Sequence, residues 1–426
     1  MFSIPEGNLI PQGLRDLLPT DSRKKRFIEN AVAGILENCG FSQITPPTFE
    51  YLSTFSRGLS GKIQKDMYKL IDRDGNILAL RPEMTTSIAR LVASHYAEDM
   101  PPHRFYYIGS VFRCDQPQAG WQREFSQAGA ELIGVRSPVA DAEMIAMAVD
   151  CLTEVGLRGF VIGVGSAAYL NGLLTEDGIS DDDRDQIKEK LANKDIVALR
   201  QLVENLDIGD KTRQAFLSLH RLQGGTEVID EAEAIAPNEL CKAAAQELRD
   251  VFKAVEEFGC DSVVRVDLGT IRDLDYYTGI VFEGYIADIG FPLLGGGRYD
   301  GLMAKFGTDM PATGFAIGIE RLLLAIASVQ PFNSDKTVDY LIAFSPVARA
   351  AAIKKTIALR KKGISVELDI NDSTLTEAVA YAKRKGITTI TYFDEKSQES
   401  NHLGLDSSVD NTAAALINGT ARGGIH

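Results

Sequence analysis

HRFYYIGSVFR (103–113) and REFSQAGAELIG (123–134) are two long strand-like stretches separated by a short loop, CDQPQAGWQ. Successive side chains of an extended strand point to opposite faces, so Arg123, Phe125, Gln127, Gly129 and Glu131 share one face. Gln127 and Glu131 flank a glycine there. That pattern can line a hollow with an amide and a carboxylate, suited to a ligand bringing hydrogen-bond donors, an ammonium or an imidazole. It equally fits the solvent-facing side of an antiparallel sheet. Arg113 and Arg123 bracket the loop like an anion grip, yet the chain's one tryptophan, Trp121, stands at its tip.

Other elements fall around this pair. Phe27, Ile28, Val32, Ile35 and Leu36 recur at helical spacing between Ser22 and Asn38, with Gly40 as the stop. YKLIDRDGNILAL (68–80) reads as a hairpin around Asp74-Gly75. Helices are expected at 83–96, behind Pro82, and at 140–155. Residues 183–258 turn polar and charge-rich, as in DDDRDQIKEK, and read as a helical insertion. Strand patterns return at 263–267, 276–285 and 295–301, followed by a helix expected over 313–328. QPFNSDKT (330–337) has linker composition. The strand–helix–strand–helix–strand pattern after it predicts a small α/β domain with parallel strands over 338–426, fading into a polar, partly ordered tail. The boundaries implied are a core of 1–329 and this smaller domain.

Bulk properties narrow the function classes. At 426 residues, two or three domains are expected, and 45% hydrophobic with 24% charged residues is an ordinary globular balance. The net charge of −14 weighs against a broad polyanion-binding surface. Five cysteines without a CxxC pair point to reduced thiols and a cytoplasmic protein, and five dispersed histidines assemble no zinc set. The start MFSIPEGNLI lacks the pattern of a signal peptide, and Glu320 and Arg321 interrupt the apolar GFAIGIERLLLAIASV, so no membrane span is expected.

Several residues could carry chemistry, none decisively alone. In LDYYTGIVFEGY (274–285), Tyr277 falls on one strand face and Tyr276 on the other. Arg272 just upstream could face a carboxylate or phosphate, or pair with Asp273 or Asp275. GGGRYDG (295–301) allows close backbone approach or a tight strand crossing. Arg321 needs either a buried partner or an anion. Glu83 and Thr85 open a helix, where a carboxylate is favoured by the dipole.

Taken together and in order, PQGLRDLLP, DMYKLIDRDGNILALRPEMT, FRCDQPQAGWQREFSQAGAELIG, IRDLDYYTGIVFEGY, GGGRYDG and GFAIGIER resemble the core of the histidyl-tRNA synthetase family. The resemblance implies an α+β fold: the antiparallel sheet of class II aminoacyl-tRNA synthetases with flanking helices, and a small C-terminal domain like a reduced anticodon-binding domain. It implies a histidine pocket of Glu83, Thr85, Gln127, Glu131 and Tyr277, with Tyr276 and Tyr299 nearby. Arg272 would be the cation between carboxylate and α-phosphate, and Arg113 and Arg321 would hold ATP phosphates.

The nucleotide side departs from the synthetase pattern. Trp121 stands where an arginine reaches the γ-phosphate, and an indole offers one donor and no charge. Asp115 replaces a glutamate, Gln116 an arginine that engages tRNA, and Met84 a glycine. RPEMT, PQAG-x-QREF and DYYTGIVFE are instead similar to the paralogous regulatory subunits of ATP phosphoribosyltransferase. That likeness implies a non-catalytic chain with a vestigial nucleotide site at Arg113, Asp115, Trp121 and Arg321, no cofactor and no metal. It further implies a homodimer through the core, histidine as ligand, and a short-form catalytic subunit as partner in a heteromultimer. The complex would open histidine biosynthesis under feedback inhibition by histidine, without tRNA or membrane. An active histidine–tRNA ligase is the alternative reading.

Overall fold

The computed structural model describes residues 9–59, 61–114, 122–270, 276–287, 289–329, 338–394 and 401–404. The chain divides into two compact units, Met1–Phe332 and Asn333–His426.

The first unit is α+β and is built on a nine-stranded sheet. Second and third from one edge, the strands His103–Phe112 and Glu124–Ile133 pair antiparallel from His103 opposite Ile133 to Phe112 opposite Glu124. Glu124–Ile133 then pairs with Ala312–Gly318, which continues through Leu294–Arg298 and Ile280–Ile286 to Phe160–Ser166, all antiparallel. The alternation read from sequence divides two apolar cores. Ala128, Ala130 and Leu132 face one, built largely with the helices, while Tyr107, Val111 and Ile133 face a second around Phe55, Ile88 and Tyr299.

Local chemistry sets the element ends. Helix Pro138–Glu154 starts with Pro138 in its first turn, and the Ser137 hydroxyl accepts from the Val139 amide at 3.2 Å. The hairpin of Lys69–Ile71 and Ile77–Leu80 turns at Gly75, where Asp72 Oδ1 accepts from the amides of Asp74 and Asn76. The insertion comprises helices Asp181–Ala192, Ile196–Glu204, Asp210–Ser218, Glu227–Ile235 and Glu239–Glu257. The last packs against Pro138–Glu154. It buries Leu248, Val251 and Val255 in the same core as the sheet.

Three readings are corrected. Residues 312–318 form a strand rather than the start of a helix, which spans only Ile319–Val329. ATGFAIG is buried on both faces between two strands, so it shows an apolar run with no period to identify it. The helix expected from Glu83 begins at Thr85, because the Glu83 carboxylate caps it from outside. The strand expected from Tyr276 begins at Ile280, because the Thr278 amide donates to the Arg298 carbonyl and turns the chain first. Strand Phe160–Ser166 and helix Ala167–Leu174 were not anticipated in the glycine-punctuated run GFVIGVGSAAYL.

The second unit has parallel strands in the order Val366–Leu368, Tyr340–Phe344, Thr389–Phe393, with helices Arg349–Arg360 and Leu375–Lys385. Asn401–Gly404, in the stretch read as tail, adds an antiparallel fourth strand. The linker 330–337 and residues 405–426 lie outside the described residues.

Arg298 of the GGGRYDG stretch ties the sheet to its helical layer. Its side chain is 2% exposed, and its Nε donates to Asp141 Oδ2 at 3.0 Å, in a carboxylate 1% exposed. Its Nη1 reaches Asp300 Oδ1, also at 3.0 Å. Removing one member of a buried pair leaves an uncompensated charge. Asp141→Ala should therefore destabilise the protein by about 3 kcal/mol, read as a lower urea midpoint. A midpoint equal to wild type would show that Asp300 alone satisfies Arg298.

Candidate functional site

Residues from four strands and the segments flanking them converge on one cavity. Glu131 enters from the last third of Glu124–Ile133 and is 1% exposed. A carboxylate can fold over the neighbouring strand only because its register partner is Gly314. A Cβ at 314 would stand 1.7 Å from Glu131 Oε2. Gly129 serves the other wall in the same way, since a Cβ there would meet the Tyr107 hydroxyl at 2.5 Å.

The polar network is compact. Thr85 Oγ1 donates to Glu131 Oε1 at 2.9 Å, and the Tyr299 hydroxyl donates to Oε2 at 2.5 Å. Glu83 is 4% exposed, and its two oxygens accept from the Thr85 amide at 2.6 Å and the Thr86 amide at 2.8 Å. Gln127 Oε1 is buried with no hydrogen-bond partner, and the buried Tyr107 hydroxyl finds no well-aligned one. These atoms line a cavity of about 40 Å³ together with Arg113, Tyr276, Tyr277 and the backbone at Gly295. That is space for a few waters, each needing roughly 10–15 Å³ by this measure.

The electrostatics favour a cationic guest. Glu83 and Glu131 both line the cavity; Arg113 is the one arginine on its wall among the described residues, and its Nε already donates to the Pro82 carbonyl at 2.9 Å. Burial drives the Glu131 carboxyl up from 4.5 to about 8, aided by the Glu83 charge and opposed by the Tyr299 and Thr85 donors. Burial, with Glu131 beside it, also holds the Tyr299 phenol well above its ordinary value. At neutral pH the cavity thus carries a proton on Glu131, which a bound cation would displace.

Glu83, Thr85, Gln127, Glu131, Tyr276, Tyr277, Tyr299 and Arg113 all line this one cavity. Tyr276 and Tyr277 do so side by side, their rings 4.9 Å apart, rather than on opposite strand faces. Arg321 is not on its wall: its Nη1 donates to the Pro292 carbonyl at 2.7 Å and its guanidinium lies over Phe291. Arg272, Asp115 and Trp121 lie outside the described residues. Tyr107, Gly295, Gly314, Phe315 and Ala316 were missed. Tyr107 sits opposite Gly129, so the hairpin register would have located it. Met84, expected beside the pocket, is 1% exposed in the apolar core behind it.

The raised Glu131 value has a testable sign. Between about pH 4.5 and 8 the unfolded chain has lost this proton while the folded chain keeps it, so the group lowers stability as pH rises. Relative to Glu131→Gln, the wild type should lose ~4 kcal/mol of unfolding free energy over that window. Urea unfolding at both ends reads the difference, and parallel curves would mean that Glu131 is already ionised at the acid end.

Comparison with known proteins matches the geometry. A family model for histidyl-tRNA synthetase covers residues 13–322. The ATP phosphoribosyltransferase regulatory subunit of Moorella thermoacetica is 41% identical over 378 residues, 89% of this chain and 96% of the relative. That of Desulforamulus reducens is 38% identical over 94% of this chain and 99% of its own. A crystal structure from Bacillus halodurans, described as an ATP phosphoribosyltransferase regulatory subunit/histidyl-tRNA synthetase, superposes with a TM-score of 0.82 at 32% identity, covering 92% of this chain and 100% of that one. The histidyl-tRNA synthetase of Nostoc sp. shares the fold, with a TM-score of 0.78 at 22% identity over 94% of this chain and 97% of that one. With a synthetase-like core and this identity along nearly the whole of its relatives, the chain belongs to the ATP phosphoribosyltransferase regulatory subunit family.

Proposed function

We propose that this chain is the non-catalytic regulatory subunit of an ATP phosphoribosyltransferase complex, sensing histidine through the Glu131 cavity. One observation carries the reading. The cavity keeps two carboxylates, an unpartnered amide oxygen and three tyrosines in addition to Tyr107, all suited to an ammonium or imidazole. The sequence has Trp121 and Gln116 where the synthetases carry arginines, which disfavours triphosphate and tRNA alike. The site therefore binds without reacting.

Regulation then needs a ligand with unequal affinity for two states of the complex. A cavity of about 40 Å³ must widen to take an amino acid, so histidine would select the wider state. Homodimerisation fits the exposed apolar face of the small sheet, where Phe49 and Tyr51 on one edge strand and Leu70 on the other are exposed, Tyr51 and Leu70 both paired with Leu78 between them. The compartment consistent with this role is the cytoplasm, and among the described residues no helix is long and apolar enough to cross a membrane.

Co-expression with a short-form catalytic subunit should yield a complex whose phosphoribosyl transfer is absent from either chain alone. Histidine should inhibit that complex, and Glu131→Gln should raise the inhibitory concentration at least tenfold, about 1.4 kcal/mol of binding, while leaving assembly intact. Histidine-dependent exchange of pyrophosphate into ATP by this chain alone would instead establish the histidine–tRNA ligase reading.

A further inference from the structure

We propose that the helical segment carries a second ligand site, built for the phosphate group of a small phosphorylated molecule. Helices Ile196–Glu204 and Asp210–Ser218 and the turn Leu219–Arg221 line a cavity of about 410 Å³ that opens to the surface. That lies within the ~300–1,000 Å³ range of small-molecule sites. It shares no lining residue with the Glu131 cavity.

Its wall presents Arg200, Arg213, Arg221 and His220 against a single carboxylate, Asp210. Arg213 is already engaged, its Nη1 donating to Asp210 Oδ1 at 2.9 Å and its Nη2 to the Leu206 carbonyl at 3.0 Å. Arg221 makes one neutral bond, donating to Ser218 Oγ at 3.1 Å. Arg200 makes none. The Nδ1 atom of His220 is buried without a partner, and a buried polar atom left unpaired calls for a ligand or water.

Charge selects the ligand class. Two guanidiniums remain after Asp210 offsets one, and together they exceed what a single carboxylate neutralises. A phosphate dianion matches them and accepts forked N–H donors. An imidazole N–H at Nδ1 would complete the set. A nucleic acid fits less well, because helix Asp181–Ala192, which packs on Ile196–Glu204, opens with Asp181, Asp182 and Asp183. A run of phosphates would meet those charges, whereas a small anion inside the cavity would not. The wall is also held in place. The Leu222 amide donates to the Ser218 carbonyl at 3.2 Å, and the Leu268 amide to the Leu222 carbonyl at 3.1 Å, anchoring the turn to the sheet edge.

The test is calorimetric titration of the full chain with inorganic phosphate and with pyrophosphate at constant ionic strength. Arg200 and Arg221 are exposed, so Arg200→Gln and Arg221→Gln should melt at the wild-type temperature. Each should weaken binding at least tenfold, and the double variant should abolish it, while Lys211→Gln, exposed on helix Asp210–Ser218 but off the cavity, should bind as wild type does. Absence of saturable binding by either anion, or binding untouched in the double variant, would overturn the proposal. So would a short RNA duplex that binds where the small anions do not and is lost in the same variants. None of these readouts requires the catalytic subunit or histidine, so failure here would leave the regulatory reading standing.

Discussion

The close approach of Glu131 to Gly314 is the constraint around which the core unit is arranged. A carboxylate projecting from a central strand must lie over its neighbour, and any side chain at 314 would occupy that space. The neighbouring strand repeats the solution. Gly297 would place a Cβ 3.0 Å from the Tyr277 ring. Gly295 and Gly314 give the cavity a floor of bare backbone under its polar side chains. Glycine weakens a strand, and here the loss falls where backbone has to come close.

That floor explains why the sheet carries so polar a cavity at its centre. Burying Glu131 without partners would cost several kcal/mol, and two hydroxyl donors offset part of this. The remainder appears as the carboxyl's raised proton affinity. The strain is thus electrostatic rather than conformational, and a cationic ligand is the natural way to relieve it. Glu83 differs because two backbone amides at a helix start already satisfy it. One carboxylate is satisfied by backbone amides, the other only by two hydroxyls.

How much of this was legible follows from which signals are local. The alternation over 123–131 placed Gln127 and Glu131 on one face, and both line the cavity. Strand alternation is a property of a single segment and can be read directly. Tyr107 required the register between two strands, and Gly314 the order of strands in the sheet, neither of which a single segment encodes. Residues 312–318 were misread because a strand covered on both faces loses its period. Tyr276 and Tyr277 were misread because the chain turns at Thr278 before the strand begins. Family resemblance supplied what local pattern could not, gathering distant residues into one pocket before any register was known.

The same fold can serve a synthetase and a regulator because binding and catalysis draw on different parts of it. Recognition of an ammonium or imidazole uses the cavity walls, which rest on strand pairing and glycine positions that cannot drift without loss of the core. Holding a triphosphate uses arginines, some of them on the loop joining two strands, where substitution disturbs little packing. Trp121 brings no charge to that stretch of the sequence. Glu131 can lie over the neighbouring strand only while residue 314 is glycine, so the two positions are tied to each other by packing rather than by chemistry.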